Sequence, residues 1–293
     1  MLTLLVVVAG GVASNAVLYR AARRVRRRER AACPFEEDEP LPWPARVLAA
    51  LRSFTAECAA TVLLVLTLPL GWRRPRGVAS EGGTGRPVLL VGGWLAHPAA
   101  FLWLARRLRH DGWRPVTGIT GVTDILARSP WNDVERAATR LGATIERLRL
   151  GSGGGEVDVV AHGTGGLVAR AHVRATGAAS GVARLITLGT PHQGTATWPT
   201  QRLRPGAPLV ARLAEDDPVP AVVETVAIYS RDDAVVVPTT RAYYPGAFNI
   251  ELGAVGHLSL LFSRRVYALV RENLAPEGCS PSRRAGTKMR PAS

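Results

Sequence analysis

Hydrophobic and polar positions divide this chain into two parts with different patterns. The first eighty residues contain two long apolar stretches, whereas short apolar runs alternate with amphipathic segments from Pro87 onward. Residues 2–18 carry no charge, and with Met1 and Tyr19 they are just long enough to cross a hydrocarbon core of about 30 Å. Positive charge follows this run, as RAARRVRRRER, an order that favours a retained anchor over a cleaved signal. We therefore predict a membrane anchor over residues 1–19, with a processed targeting segment as the alternative.

The second apolar stretch, residues 47–72, leaves the membrane topology open. Arg52 and Glu57 interrupt it, and its uninterrupted part, 58–70, is short for a membrane span. If this stretch crosses the membrane, the C-terminal part of the chain lies outside the cytoplasm. If it lies in the interface or packs on the domain, that domain is cytoplasmic. The segment 20–46 is first basic and then acidic and proline-rich, which is typical of a linker.

Residues 77–274 have the pattern of one α/β domain. Short apolar runs predict strands at 88–91, 115–119, 157–161, 183–189, 224–230 and 247–252. Amphipathic segments predict helices at 98–109, 129–150, 164–175 and 258–274. This alternation indicates a mainly parallel sheet of about six strands with helices on both faces. The Pro- and Arg-rich segment 196–221 predicts a cap or lid insert, and the composition of 275–293 predicts a disordered tail.

The distribution of charge and of cysteines along the chain indicates which kinds of partner and cofactor to expect. The net charge is +14, but residues 20–30 contribute +6 of it, from seven Arg and one Glu. Residues 77–274 hold 21 basic and 16 acidic residues, so the composition favours a membrane partner and argues against nucleic acid. The cysteines at 33, 58 and 279 show neither metal-ligand spacing nor a disulfide framework. We predict no metal and no cofactor.

Candidate site residues follow the predicted strands, where sites form in parallel sheets. The strand VDVVA leads through a turn of small residues into a helix, which is the context of the nucleophile elbow G-x-S-x-G. The serine position of that motif holds Gly163. Asp233 follows the strand 224–230, with Asp232 beside it as an alternative acid. His257 lies about two dozen residues further on, just before the last predicted helix.

Five segments together resemble lipases and esterases of the α/β-hydrolase superfamily. In chain order they are LLVGGWL, VDVVAHGTGGLVAR, LITLGTPHQGT, IYSRDDAVV and GAVGHLSLLFSRRV. The resemblance covers about residues 86–274 and implies the α/β-hydrolase fold, with lipid or acyl-ester substrates. It implies that Gly163, Asp233 and His257 occupy the nucleophile, acid and histidine positions of the triad. It also implies that the backbone N–H groups of Trp94 and Thr164 form the oxyanion hole.

Two residues depart from the pattern of this family. Gly163 replaces the usual serine, and Gly92 replaces the histidine that usually begins the oxyanion segment. Two further histidines, His162 beside the nucleophile position and His192 in TPHQGT, are weaker candidates for the site.

The missing serine leaves three functional hypotheses. An acyl-enzyme needs a hydroxyl or thiol beside the histidine, and a triad without its serine loses turnover on the order of a millionfold. Two other hydroxyls are poor replacements for the missing serine. Thr164 carries its hydroxyl one position after the nucleophile position, and Ser152 lies at the opposite end of its strand. The chain is therefore an impaired membrane-anchored hydrolase, a pseudohydrolase that binds an apolar ligand or a partner protein, or a structural domain. The losses at Gly92 and Gly163 favour binding, whereas the retained acid and histidine favour residual chemistry. The oligomeric state stays open.

Overall fold

A computed structural model describes residues 2–32, 42–72, 85–93, 98–120, 134–197, 203–215, 217 and 219–275. Its centre is a single sheet of six strands in the order β2-β1-β3-β4-β5-β6. The strands are β1 (Pro87–Gly92), β2 (Arg114–Thr120), β3 (Val157–His162), β4 (Val182–Leu188), β5 (Glu224–Ser230) and β6 (Phe248–Leu252). Every neighbouring pair is parallel. The predicted fold class is thus confirmed.

Helices cover both faces of the sheet, because its central strands are apolar on both sides. Every residue of β1 and β3 is buried. One face packs against α4 (Val134–Gly151) and α5 (Thr164–Thr176), and the other against α3 (Leu102–His110) and α8 (Arg264–Leu274). Two shorter helices, α6 (Pro208–Ala214) and α7 (Val219–Val222), precede β5.

Three predicted segments differ from the structure or lie partly outside it. The helix predicted over 258–274 is divided into a 3₁₀ helix, Leu258–Phe262, and α8. The division lies at Ser263, which has an extended backbone and whose hydroxyl accepts a hydrogen bond from the Val266 N–H, so it begins a new helix. The start of the helix predicted over 129–150 and the tail after residue 275 lie outside the described residues.

The two N-terminal apolar stretches form a helical hairpin. Helices α1 (Leu2–Ala32) and α2 (Trp43–Trp72) run antiparallel, because Asn15 bonds Thr61 (2.9 Å) while Tyr19 bonds Ser53 (2.8 Å). Helix α1 continues through the basic segment to Ala32, so the predicted linker begins later than residue 20. The remainder of that linker, 33–41, lies outside the described residues.

Helix α2 packs on the domain beside the 3₁₀ helices Pro98–Phe101 and Leu258–Phe262. Among the described residues, the stretch Trp43–Leu68 is the helix long and apolar enough to cross a membrane, by length and composition only. The anchor predicted at 1–19 stays a prediction.

Candidate active site

The turn between β3 and α5 brings Gly163 to the carboxyl edge of the sheet. Gly163 has φ 56° and ψ −130°, a conformation that glycine adopts readily and that is strained for other residues. Its carbonyl oxygen accepts hydrogen bonds from the Gly166 N–H (3.1 Å) and the Thr190 hydroxyl (2.9 Å). A Cβ built on Gly165 would lie 2.7 Å from the Val91 carbonyl oxygen, so this small residue lets α5 approach β1 closely. The sequence-predicted elbow geometry is therefore present, without a side chain at its apex.

Asp233 and His257 form a buried pair beside this turn. The His257 Nδ1 lies 2.7 Å from the Asp233 Oδ2, and the two residues are 8% and 1% exposed. The other carboxylate oxygen of Asp233 accepts the N–H groups of Val235 (2.7 Å) and Val236 (2.9 Å). A Cβ built on Gly163 would lie 3.3 Å from the His257 Nε2. Three positions far apart in sequence thus meet, with the His257 ring between the Asp233 carboxylate and Gly163.

The pair is electrostatically coupled. Burial lowers the pKa of His257, but attraction to Asp233 and their hydrogen bond outweigh it, and the pKa is raised. Burial raises the pKa of Asp233, but the charge of His257, the same hydrogen bond and the two backbone N–H groups outweigh it, and that pKa is lowered. The carboxylate therefore stays ionised and stabilises a protonated imidazole.

His162 supports the histidine loop rather than taking a proton. Its Nε2 lies 3.0 Å from the His257 carbonyl oxygen, and the two rings lie 4.6 Å apart. Burial and the nearby His257 lower the pKa of His162 to about 3, so it is neutral and donates its Nε2–H to that carbonyl.

The remaining candidates point elsewhere. The Asp232 carboxylate accepts the Ala254 N–H (2.6 Å), so Asp233 is the acid that bonds His257. His192 stacks on Tyr244 with ring centroids 4.0 Å apart and bonds the Thr187 hydroxyl (3.0 Å). Ser152, just after the end of α4, donates its hydroxyl to the Leu148 carbonyl oxygen.

Of the two residues predicted to form the oxyanion hole, the structure describes Thr164. A Cβ built on Gly93 would lie 2.6 Å from both the backbone nitrogen and the hydroxyl of Thr164. The chain segment that leads into Trp94 therefore runs directly against the start of α5, but Trp94 itself lies outside the described residues. Within the described part of the chain, no group of three or more His, Cys, Asp or Glu residues is placed to hold a metal ion.

Two residues of the N-terminal hairpin also reach the site. The Glu57 carboxylate bonds the backbone just after His257, and the Arg26 guanidinium bonds the Asp233 carbonyl oxygen. Neither was a sequence candidate. The available signal was the position of Glu57 as a single acid inside an apolar stretch.

Comparisons with known proteins agree with the α/β-hydrolase fold. A family model described as palmitoyl protein thioesterase matches residues 127–231, which include Gly163 but end before Asp233 and His257. The chain is similar to Aspergillus fumigatus lipase B, with a TM-score of 0.58 and 18% identity over 70% of this chain and 56% of that chain. It is also similar to mature Bacillus licheniformis lipase BlEst2, with a TM-score of 0.54 and 17% identity over 65% of this chain and 92% of that chain. The chain thus spans about half the length of the fungal lipase.

Proposed function

We propose that this chain, which has the α/β-hydrolase fold, is a relative of lipases and esterases that binds acyl esters without forming an acyl-enzyme. The observation that carries the proposal is the buried Asp233–His257 pair aimed at an elbow whose apex is Gly163. The covalent route begins when a hydroxyl gives its proton to the histidine and attacks the acyl carbon. Glycine has no atom that can do so, whereas the acid–histidine pair beside it is intact.

The ligand we propose is a long-chain acyl group carried on an ester or thioester. The matching family model is described as a palmitoyl protein thioesterase, and the similar solved structures are lipases. The Thr164 N–H at the start of α5 is the donor we assign to the acyl carbonyl oxygen, because helix N-termini and turn amides stabilise negative charge there.

We also propose that the hairpin holds the domain at a membrane surface. The outer side of α2 exposes large apolar side chains, namely Trp43, Val47, Leu48, Leu51, Leu63, Val65 and Leu66. The other helix of the hairpin, α1, exposes five arginines, at positions 20, 23, 24, 27 and 28. An apolar face beside a basic segment favours the interface of an anionic bilayer. The midpoint of α2 is buried against the domain, which favours a helix lying on the surface over one that crosses the membrane.

A second candidate function is direct hydrolysis by water, favoured by the intact acid–histidine pair. In this route the His257 Nε2 takes a proton from water, and the water oxygen attacks the acyl carbon. The bond to the leaving oxygen or sulfur then breaks, and the leaving group takes the proton from His257. Acid and product alcohol or thiol are released, and the pair returns to its starting state.

Labelling with an alkyl fluorophosphonate tests the proposal, because this reagent bonds activated hydroxyl groups in such sites. We expect no label at residues 163–164 of the full-length chain in mild detergent, and stoichiometric label on residue 163 of Gly163→Ser, located by mass spectrometry. The matched variant Gly163→Ala carries the same backbone strain without the hydroxyl, so it should stay unlabelled. Label on Thr164 of the natural chain would contradict the proposal, since it would show an alternative nucleophile.

A further inference from the structure

Glu57 occupies an unusual place for a charged residue. It lies at the middle of α2, on the buried stripe formed by Ser53, Glu57, Ala60 and Leu64, and is 4% exposed. Leu64 packs into the apolar layer that contains α3 and α8, so this stripe is the side of α2 that faces the domain. Burying a carboxylate is costly unless it is paired or fully hydrogen-bonded. The residue therefore needs partners on the domain.

Its partners are the first backbone N–H groups after His257. The Glu57 Oε1 accepts the Leu258 N–H (2.8 Å), and its Oε2 accepts the Ser259 N–H (2.9 Å). These groups begin the 3₁₀ helix Leu258–Phe262, whose N-cap residue is His257 itself. Among the described contacts, the His257 side chain makes no capping bond there, because its Nδ1 is bonded to Asp233. Glu57 supplies the cap from another helix.

The residue before His257 is suited to this contact. A Cβ built on Gly256 would overlap the Glu57 carboxylate, so glycine at this position leaves the room that Glu57 occupies. The Gly256 N–H donates to the Ser259 hydroxyl (2.8 Å), and that hydroxyl donates to the Gly256 carbonyl oxygen (3.1 Å). The start of the short helix after His257 is therefore held both by Glu57 and by the contacts between Gly256 and Ser259.

The same hairpin also holds the loop of the acid. The Arg26 Nη2 donates to the Asp233 carbonyl oxygen (2.6 Å). Ala22, one turn earlier on α1, packs with Ala234 and Val237 just after Asp233. One helix of the hairpin thus contacts the acid loop, and the other contacts the histidine loop.

We infer that Glu57 is a positioning residue of the active site, which fixes the His257 loop and favours the protonated imidazole, with Arg26 holding the Asp233 loop beside it. The groups that face His257 are Asp233 at Nδ1, the neutral ring of His162, and Glu57 behind the backbone. Burial raises the pKa of Glu57, while its two backbone N–H partners and the nearby His257 lower it. Asp233 and Glu57 both raise the pKa of His257, so removal of either carboxyl group weakens the hold on a protonated ring. The N-terminal hairpin is accordingly part of the site and more than a tether. This inference concerns the same site as the proposed function, but its first readout needs no turnover.

The test is the NMR titration of the His257 ring in the full-length chain, natural and Glu57→Gln. Glutamine keeps the size of the side chain but lacks the charge and presents an amide to one of the two N–H groups. We expect the titration midpoint of His257 to fall. Thr55→Ala is the matched control, because Thr55 is an exposed residue of α2 that bonds its own helix at the Leu51 carbonyl. Its midpoint should equal that of the natural chain.

A second readout uses the Gly163→Ser background. There we expect Glu57→Gln to lower kcat by about tenfold or more with KM nearly unchanged, since small misplacement of a catalytic group has effects of this size. An unchanged His257 midpoint in a folded Glu57→Gln chain would overturn the inference, whatever the turnover. A silent Gly163→Ser enzyme would instead count against the proposed function, while the titration would still decide the role of Glu57.

Discussion

At the scale of single residues, the proposed chemistry depends on the protonation state of the His257 ring. A general base must be neutral, and the pKa of this histidine is raised because the Asp233 charge and hydrogen bond outweigh the effect of burial. In the Gly163→Ser background we therefore expect kcat/KM to rise with pH through a midpoint above the ordinary histidine value of about 6.5. Measuring the pH profile with a p-nitrophenyl ester checks this midpoint.

Asp233→Asn is the matching variant for that profile. The amide keeps the shape of the side chain but removes the anion that favours the protonated ring, so we expect the midpoint to move to lower pH and kcat to fall. Asp232→Asn is the control, because Asp232 bonds the Ala254 N–H on the neighbouring loop. An equal displacement of the midpoint in both variants would show that Asp233 has no special role.

Sequence order predicted which residues meet at the site but not how the hairpin supports them. In a parallel sheet the carboxyl ends of the strands lie at one edge. Gly163 follows β3, Asp233 lies shortly after β5, and His257 precedes the 3₁₀ helix Leu258–Phe262. Glu57 bonds a backbone group 201 residues away in sequence, and a backbone partner carries no side-chain signal. Asp232 and Asp233 are adjacent and chemically identical, so only the direction of each side chain in the structure separates them.

At the scale of secondary-structure elements, a buried ion pair fastens the segment that contains α6. The Arg170 guanidinium of α5 bonds Asp217 (2.7 Å) and the carbonyl oxygens of His192 and Leu213. The side chains of Arg170 and Asp217 are 3% and 10% exposed. By contrast, the side chains of Arg212, in α6, and of its partner Glu135 are 63% and 75% exposed. Loss of one partner should therefore cost much more folding stability in the buried pair than in the exposed pair.

We therefore expect Asp217→Ala to lower the free energy of unfolding by about 3 kcal/mol, because it leaves the buried Arg170 charge without its anion. Arg212→Ala, on the same segment, should change it by less than about 1 kcal/mol. Urea unfolding of both full-length variants in one detergent gives the comparison. Equal losses would mean that burial does not set the strength of these contacts.

The strands were predicted more closely than the last helix. β1 and β3 are buried on both faces, so their apolar runs alone locate them. The break at Ser263 was missed, because the apolar positions of 258–274 follow one helical pattern. The first of the two helices is capped by Glu57 and the second by the Ser263 hydroxyl.

At the scale of the whole molecule, the N-terminal hairpin has two sides with different surroundings. Its inner side contacts the loops of Asp233 and His257, and its outer side exposes apolar residues, where we propose that it meets a membrane. We expect the double variant Leu48→Glu with Leu51→Glu to bind anionic phospholipid vesicles at least about tenfold more weakly, since it places two charges in the apolar face. Cosedimentation with vesicles measures the change.

Leu102→Glu is the control for that experiment, because Leu102 is an exposed apolar residue of α3 outside the hairpin. Its vesicle binding should match that of the natural chain. Similar losses for Leu102→Glu and the double variant would show that the hairpin is not the membrane-binding face.

The most direct test of the account is hydrolysis of short and medium p-nitrophenyl esters by the full-length chain. The natural protein, Gly163→Ser, and Gly163→Ser combined with His257→Ala should be assayed together. We predict that the natural chain shows little or no turnover, that Gly163→Ser gains esterase activity, and that loss of His257 removes this gain. Turnover by the natural chain as fast as that of Gly163→Ser would contradict the central claim that Gly163 blocks the acyl-enzyme route.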